Sequence, residues 1–156
     1  MNSKINLSED EKDCLQELMN VAYGNATAAI TEILDAYAKL SIPKIQIINS
    51  SELKAHLSRE LNLDVEHLVS LQQINGTISG ENMFVIDKQS AINIAYKFGL
   101  SEDEINDNEL LDIVLEITNI LSSSTISKLA EDIDTNVSFS APSIKSLTSI
   151  NQLNNS

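Results

Sequence analysis

The chain of 156 residues carries 23 acidic against 10 basic side chains, a net charge of −13, which disfavours nucleic acid and anionic membranes as partners because both select for Lys and Arg. Aromatic residues are 4% of the chain and none is Trp, so stacking platforms for bases are not expected either. Cys14 is the one cysteine, which leaves no internal disulfide and argues against a Cys-based metal site.

No uninterrupted apolar run approaches the roughly 18 residues of a membrane span, and the start "MNSKINLSEDEKD" is polar and acidic, without a signal or transit pattern. A cytoplasmic protein with no membrane insertion and no metal of its own is therefore expected. Its field would repel a free polyanion, so a phosphate handled here should arrive already neutralised by a metal or Lys on a partner.

In chain order, Ser8 and Glu11 have the spacing of a capping box and open a long helix over about residues 9–39. At 100° per residue, Leu15, Leu18, Ala22, Ala26, Ala29 and Ile33 fall on one side. Asp13, Glu17, Asn20, Gly24, Thr27 and Thr31 fall on the other, and Cys14 borders the apolar side, where a small buried hydrophobe is expected. "SIPKIQIINS" reads as a strand entered through Pro43, and "SELKAHLSRE" as a short helix. Residues 65–87 read as two strands joined by a turn at Ser79-Gly80-Glu81-Asn82, and "KQSAINIAYKFG" as a helix ending at Gly99. His56 and His67 are solitary, and a surface or edge position is expected of each. A second capping box, Ser101 with Glu104, opens a segment read as its own short helix, before a long helix over about 108–131 and a strand "NVSFSAPSI". The polar tail 146–156 is expected to be disordered in part.

Two segments of the chain echo one another. Asp13, Glu17, Asn20 and Pro43 recur as Asp112, Glu116, Asn119 and Pro142, every member displaced by the same 99 positions, and Ser41 recurs as Ser140. The string "LSEDE" also occurs at 7–11 and at 100–104. A gapless match at the four motif positions marks a duplicated unit. The reading is one α+β domain over 1–156 with two related halves, about 8–99 and 101–150. Two long pseudo-twofold-related helices pack on a mostly antiparallel β-sheet.

Glu17 with Asn20, and Glu116 with Asn119, stand at i, i+3 and so emerge together from a helix face. A carboxylate beside an amide lacks the nucleophile–base pair of a protease and the second carboxylate of a glycosidase. It suits a different task. The carboxylate can engage a partner's cation, and the amide, donor and acceptor together, can hold a water in line for attack. Phosphoryl hydrolysis asks little more when metal and charge stabilisation come from elsewhere. Gly24 lies one turn beyond Asn20 and Ser123 holds the same place after Asn119, small residues that would let a partner's backbone come close. A single such pair would ordinarily be a solvated helix face; its repetition with Pro at a fixed distance favours a functional pair.

The doubled Asp-x3-Glu-x2-Asn-x22-Pro pattern resembles the signature of the CheC/CheX/FliY phosphatases of bacterial chemotaxis. "ELMNVAYGNATAAI" is similar to that family's first-helix sequence and "QINGTISGENMFVI" to its central hairpin, so the likeness spans about residues 8–145. The resemblance implies a CheC-like fold and hydrolysis of the aspartyl phosphate of a phosphorylated CheY-like response regulator. Glu17 and Glu116 would then dock the regulator's lysine, and Asn20 and Asn119 would position the water. Asp13 and Asp112 would support them, and Pro43 and Pro142 would be structural. No cofactor of its own is implied, Mg2+ belonging to the regulator.

Two departures fall on the second copy. "NILSSSTIS" lacks the Gly24-Asn25 pair, and no counterpart of the 65–87 hairpin follows Pro142. A homodimer covering an exposed sheet edge is the expected remedy, CheX-like relatives being dimers. The alternative from another class is a non-catalytic module: a response-regulator-binding protein, a flagellar-switch component or an adaptor for the deamidase CheD.

Overall fold

The computed structural model describes residues 7–34 and 46–147. Helix α1 (Glu9–Leu34) is followed by a 3-10 turn (Ser50–Glu52), α2 (Leu53–Glu60), the hairpin β1 (His67–Gly76) and β2 (Gly80–Asp87), α3 (Lys88–Lys97), α4 (Asp107–Asp132), β3 (Val137–Phe139) and β4 (Ser143–Leu147). The architecture is α+β, with every described strand pairing antiparallel.

The capping box opens α1 as expected: Ser8 N and Oγ donate to Glu11 Oε2 at 2.7 and 2.8 Å, and Glu11 N donates back to Ser8 Oγ. Ala22 and Ala26, one turn apart, are buried, and α1 packs along α4 at this small-residue stripe. Cys14, in contrast, is exposed. It lies just past the apolar arc, and α4 does not reach round to cover it. The expected helix reached about residue 39; α1 is described through Leu34, and residues 35–45, Pro43 among them, lie outside the described part. Residues 46–49, the end of the expected strand, are irregular. Asn49 N already donates to Glu52 Oε2 at 3.0 Å there, committing the chain to the turn that starts α2.

Strand β1 is the centre of the sheet, with β2 on one side and β3 and β4 on the other. Leu68 pairs with Ile86, Ser70 with Phe84, Gln72 with Asn82 and Ile74 with Gly80. These alternate residues share one face, and the face lies against α4. A slip of one residue would turn Leu68, Phe84 and Ile86 away from the core. That register leaves residues 77–79 as the turn, so Gly80, Glu81 and Asn82, expected in the turn, begin β2 instead. His67 pairs with both Asp87 and Leu147 and is 7% exposed; it is a buried residue of the central strand, since both of its neighbours are occupied. His56 is half-buried on α2.

Between β3 and β4 the single expected strand breaks at Pro142. Leu71 pairs with Ser143 and Ile74 with Phe139, so Gln72 and Gln73 face Ser140, Ala141 and Pro142, one residue too many. This is a β-bulge, placed where proline cannot donate to the ladder. Ser140 still bridges to β1: its N–H donates to the Gln73 carbonyl at 3.0 Å, and its Oγ accepts from Gln73 N at 3.1 Å. Residues 146 and 147 of the polar tail belong to β4, and residues 148–156 lie outside the described part.

The core gathers Leu68, Ala91 and Ala95 of α3, and Leu110, Ile113, Val114 and Ile117 of α4, with Phe84, Ile86, Phe98 and Ile144 packed around them. Helix α4 is the one described helix with the length and hydropathy of a membrane span, but these apolar side chains are spent on the core. The second "SEDE" makes only a local turn, Ser101 N and Oγ donating to Glu104 Oε2. The cap of α4 is Asn106, whose Oδ1 accepts from Asn108 N and Glu109 N at 3.0 and 3.2 Å. Lys88 ties the starts of three elements, its Nζ lying 3.0 Å from both Glu66 and Asp107. Ser146 of β4 donates to Glu66 from the other side. The Ser146 hydroxyl first, then Lys88, hold the Glu66 carboxyl below its ordinary range.

Two predictions follow from this packing. Gly76 has φ +136°, and a Cβ there would lie 2.5 Å from the Asn136 carbonyl oxygen. Gly76→Ala should therefore cost about 1–3 kcal/mol, read as a lower urea midpoint; an unchanged midpoint would disprove the tight crossing. Asp87 caps α3, accepting from Ser90 N at 2.8 Å and Ser90 Oγ at 2.6 Å. Ser90, through its hydroxyl and then its backbone N–H, lowers the Asp87 pKa. The stability this confers is complete above the unfolded value near 3.9 and is lost as pH falls through the lower folded value. Asp87→Asn keeps a cap acceptor but cannot titrate, so its urea midpoint should fall less steeply below about pH 5 than that of wild type. Parallel curves would remove Asp87 from the acid response.

Candidate functional site

The duplicated motif lies on two long helices, α1 and α4. On α1, Asp13, Glu17, Asn20 and Gly24 are all exposed along one face; on α4, Asp112, Glu116, Asn119 and Ser123 are likewise exposed. The helical period thus aligns each set, and neither Glu enters an ion pair among the described residues. Pro142 forms the bulge described above. A hollow of about 490 Å3 beside α1 is lined by Glu9, Lys12, Asp13, Leu15, Gln16 and residues 46–48, reaching Asp13 but not Glu17 or Asn20. Both Glu–Asn pairs stand on open helix surface, a form suited to a macromolecular partner more than to a small molecule enclosed in a cleft.

The two amides have different supports. Asn20 Oδ1 accepts from Gln16 Nε2 at 3.1 Å, a contact one turn back on the same exposed helix. Asn119 Oδ1 accepts from Gln72 Nε2 at 3.0 Å, across the helix–sheet interface. Gln72 is 3% exposed, and its Nε2 also donates to the Ser140 carbonyl at 2.9 Å. Opposite Gln72 in the hairpin, Asn82 Nδ2 donates to Ser122 Oγ at 2.6 Å. The residues after the amides differ too. Ser123 Oγ donates to the Asn119 carbonyl at 2.6 Å, whereas Gly24 has nothing within 4 Å of where a Cβ would be.

Gln72 is the residue that the sequence reading missed. Its one signal was a polar side chain at the alternate position between Leu68, Ser70 and Ile74, on a face that β periodicity already marked as covered. Among the described residues no group of three His, Cys, Asp or Glu side chains is arranged to hold a metal ion.

A family model described as the chemotaxis phosphatase CheX matches residues 68–154, more than half of the chain. The chain belongs to this CheX family. The matched segment contains β1 from Leu68 on, with Gln72, the pair Glu116–Asn119, and Pro142; Glu17 and Asn20 lie outside it. Among solved structures, Thermotoga maritima FliY aligns with a TM-score of 0.76 at 24% identity, over 96% of this chain and 74% of that one. A chemotaxis protein CheX from Desulfovibrio desulfuricans aligns with a TM-score of 0.56 at 18% identity, over 83% of this chain and 77% of that one. At these identities the two structures speak for the fold. A search of curated proteins gives no match.

Gly24 gives a prediction independent of any activity. An exposed mid-helix glycine with open space around it gains nothing inside this chain from lacking a Cβ. Gly24→Ala should raise stability by about 1 kcal/mol, measured by urea denaturation; a destabilised variant would reveal a packing role for Gly24 within the chain.

Proposed function

We propose that this CheX-family chain accelerates hydrolysis of the aspartyl phosphate of a CheY-like response regulator in the cytoplasm. The observation that carries the reading is the Glu–Asn pair present twice, with identical spacing, on exposed faces of two long helices. Glu17 or Glu116 docks the lysine of the regulator's phosphorylation site, a cation that a chain of net charge −13 attracts. That contact brings Asn20 or Asn119 against the acyl phosphate, where the amide holds a water in line with the scissile bond.

The energetic gain in this scheme is positional. A water fixed at the phosphorus needs no strong base, because the acyl phosphate has a good leaving group and the transition state gains little bonding from the nucleophile. Asp13 and Asp112 lie one turn before each Glu and add negative potential at the docking face. Divalent metal is supplied by the regulator, not by this chain.

The reading is tested by following phosphate loss from phosphorylated regulators encoded beside this protein. Wild type should outpace the regulator's own decay. Asn20→Ala and Asn119→Ala should each slow it, and the double variant should lose on the order of a hundredfold. No acceleration by wild type, or full activity in the double variant, would end the proposal.

A further inference from the structure

We infer that Gln72 is the positioning residue of the second pair, orienting the Asn119 amide from inside the sheet. This rests on the phosphatase reading above and names a residue which that reading does not contain. The argument starts at the Ser140 carbonyl. The bulge at Ser140–Pro142 turns this carbonyl onto the Gln72 side chain, which donates to it at 2.9 Å. A backbone carbonyl only accepts, so the Gln72 amide must face it with nitrogen.

The second N–H of the same nitrogen then meets Asn119 Oδ1 at 3.0 Å. Asn119 is thereby held with its oxygen inward and its Nδ2 toward solvent. Reversing the Gln72 amide would set Oε1 against the Ser140 carbonyl oxygen. The observed orientation is kept even though it leaves Gln72 Oε1 buried without a partner. Ser140 is itself anchored by two hydrogen bonds to Gln73. A chain of contacts therefore runs from the Ser140 backbone in the bulge through Gln72 to the amide, and the amide's direction is set before any partner arrives. It also gives Pro142 a task, since the bulge is what presents the carbonyl.

The test isolates each copy. Gln72→Met keeps the volume and removes both donors. In an Asn20→Ala background, where only the second copy works, it should lower kcat on the order of tenfold with KM nearly unchanged. In an Asn119→Ala background it should leave the rate unaltered, which also shows that the variant folds. NMR relaxation of the side-chain amides is the second readout: Asn119 should be rigid in wild type and mobile in Gln72→Met, with Asn20 the same in both. An Asn20→Ala protein without activity, or one indifferent to Gln72→Met, overturns the inference while wild-type activity keeps the phosphatase reading standing. An Asn119 amide as mobile in wild type as in Gln72→Met overturns it whatever the activity.

Discussion

The seam between β1 and α4 is the contact on which the rest of the structure depends. At one end it is apolar: Leu68 and Ile86 meet Leu110, Ile113, Val114 and Ile117, each buried aliphatic side chain contributing about 1.5–3 kcal/mol relative to exposure. At the other end a cross-strand pair of amides, Gln72 and Asn82, reaches to Asn119 and Ser122. Thr118, fully buried between them, satisfies its hydroxyl on the Val114 carbonyl at 2.7 Å. Burial drives the seam, and the hydrogen bonds, each worth about 0.5–1.5 kcal/mol net, fix its register.

That division lets one helix serve three surfaces. Helix α4 faces the sheet and α3 with its aliphatic residues and lies along α1, where Ala22 and Ala26 allow close approach. Its third side, with Asp112, Glu116, Asn119 and Ser123, stays in solvent. Helix α1 has fewer demands. With α4 as its main partner among the described residues, it leaves Val21, beside the Glu17–Asn20 face, and Ile33, on the apolar side, about half exposed. Two segments matched in motif thus sit in unlike surroundings, one wedged on a sheet and one laid on a neighbouring helix.

Much of the local structure was legible because it rests on short-range chemistry. The Ser8–Glu11 box, the short helix after residue 50, the hairpin, the helix ended by Gly99 and both long helices all follow from spacing and caps. The misses share a cause. The hairpin turn moved to 77–79 because burial of Phe84 and Ile86 beside Leu68 overrides the turn preference of Ser79-Gly80-Glu81-Asn82. Ser101–Glu104 formed its box but only a turn in place of the short helix expected there, and Asn106 caps α4. Cys14 is exposed and His67 buried because each depends on what lies across from it, and a single strand became two at Pro142 because β1 needed a bulge there.

By itself, the sequence determined that Glu17 and Asn20, and Glu116 and Asn119, share a helix face, because the 3.6-residue period alone decides it. It also set the family resemblance, through a motif repeated at constant spacing. Tertiary structure alone decided how each amide is held. Gln72 lies far from Asn119 in the chain, and Ser140 far from both, so their contact exists only once α4 packs on β1. A side chain's direction is a property of its neighbours in space, and no local pattern encodes them.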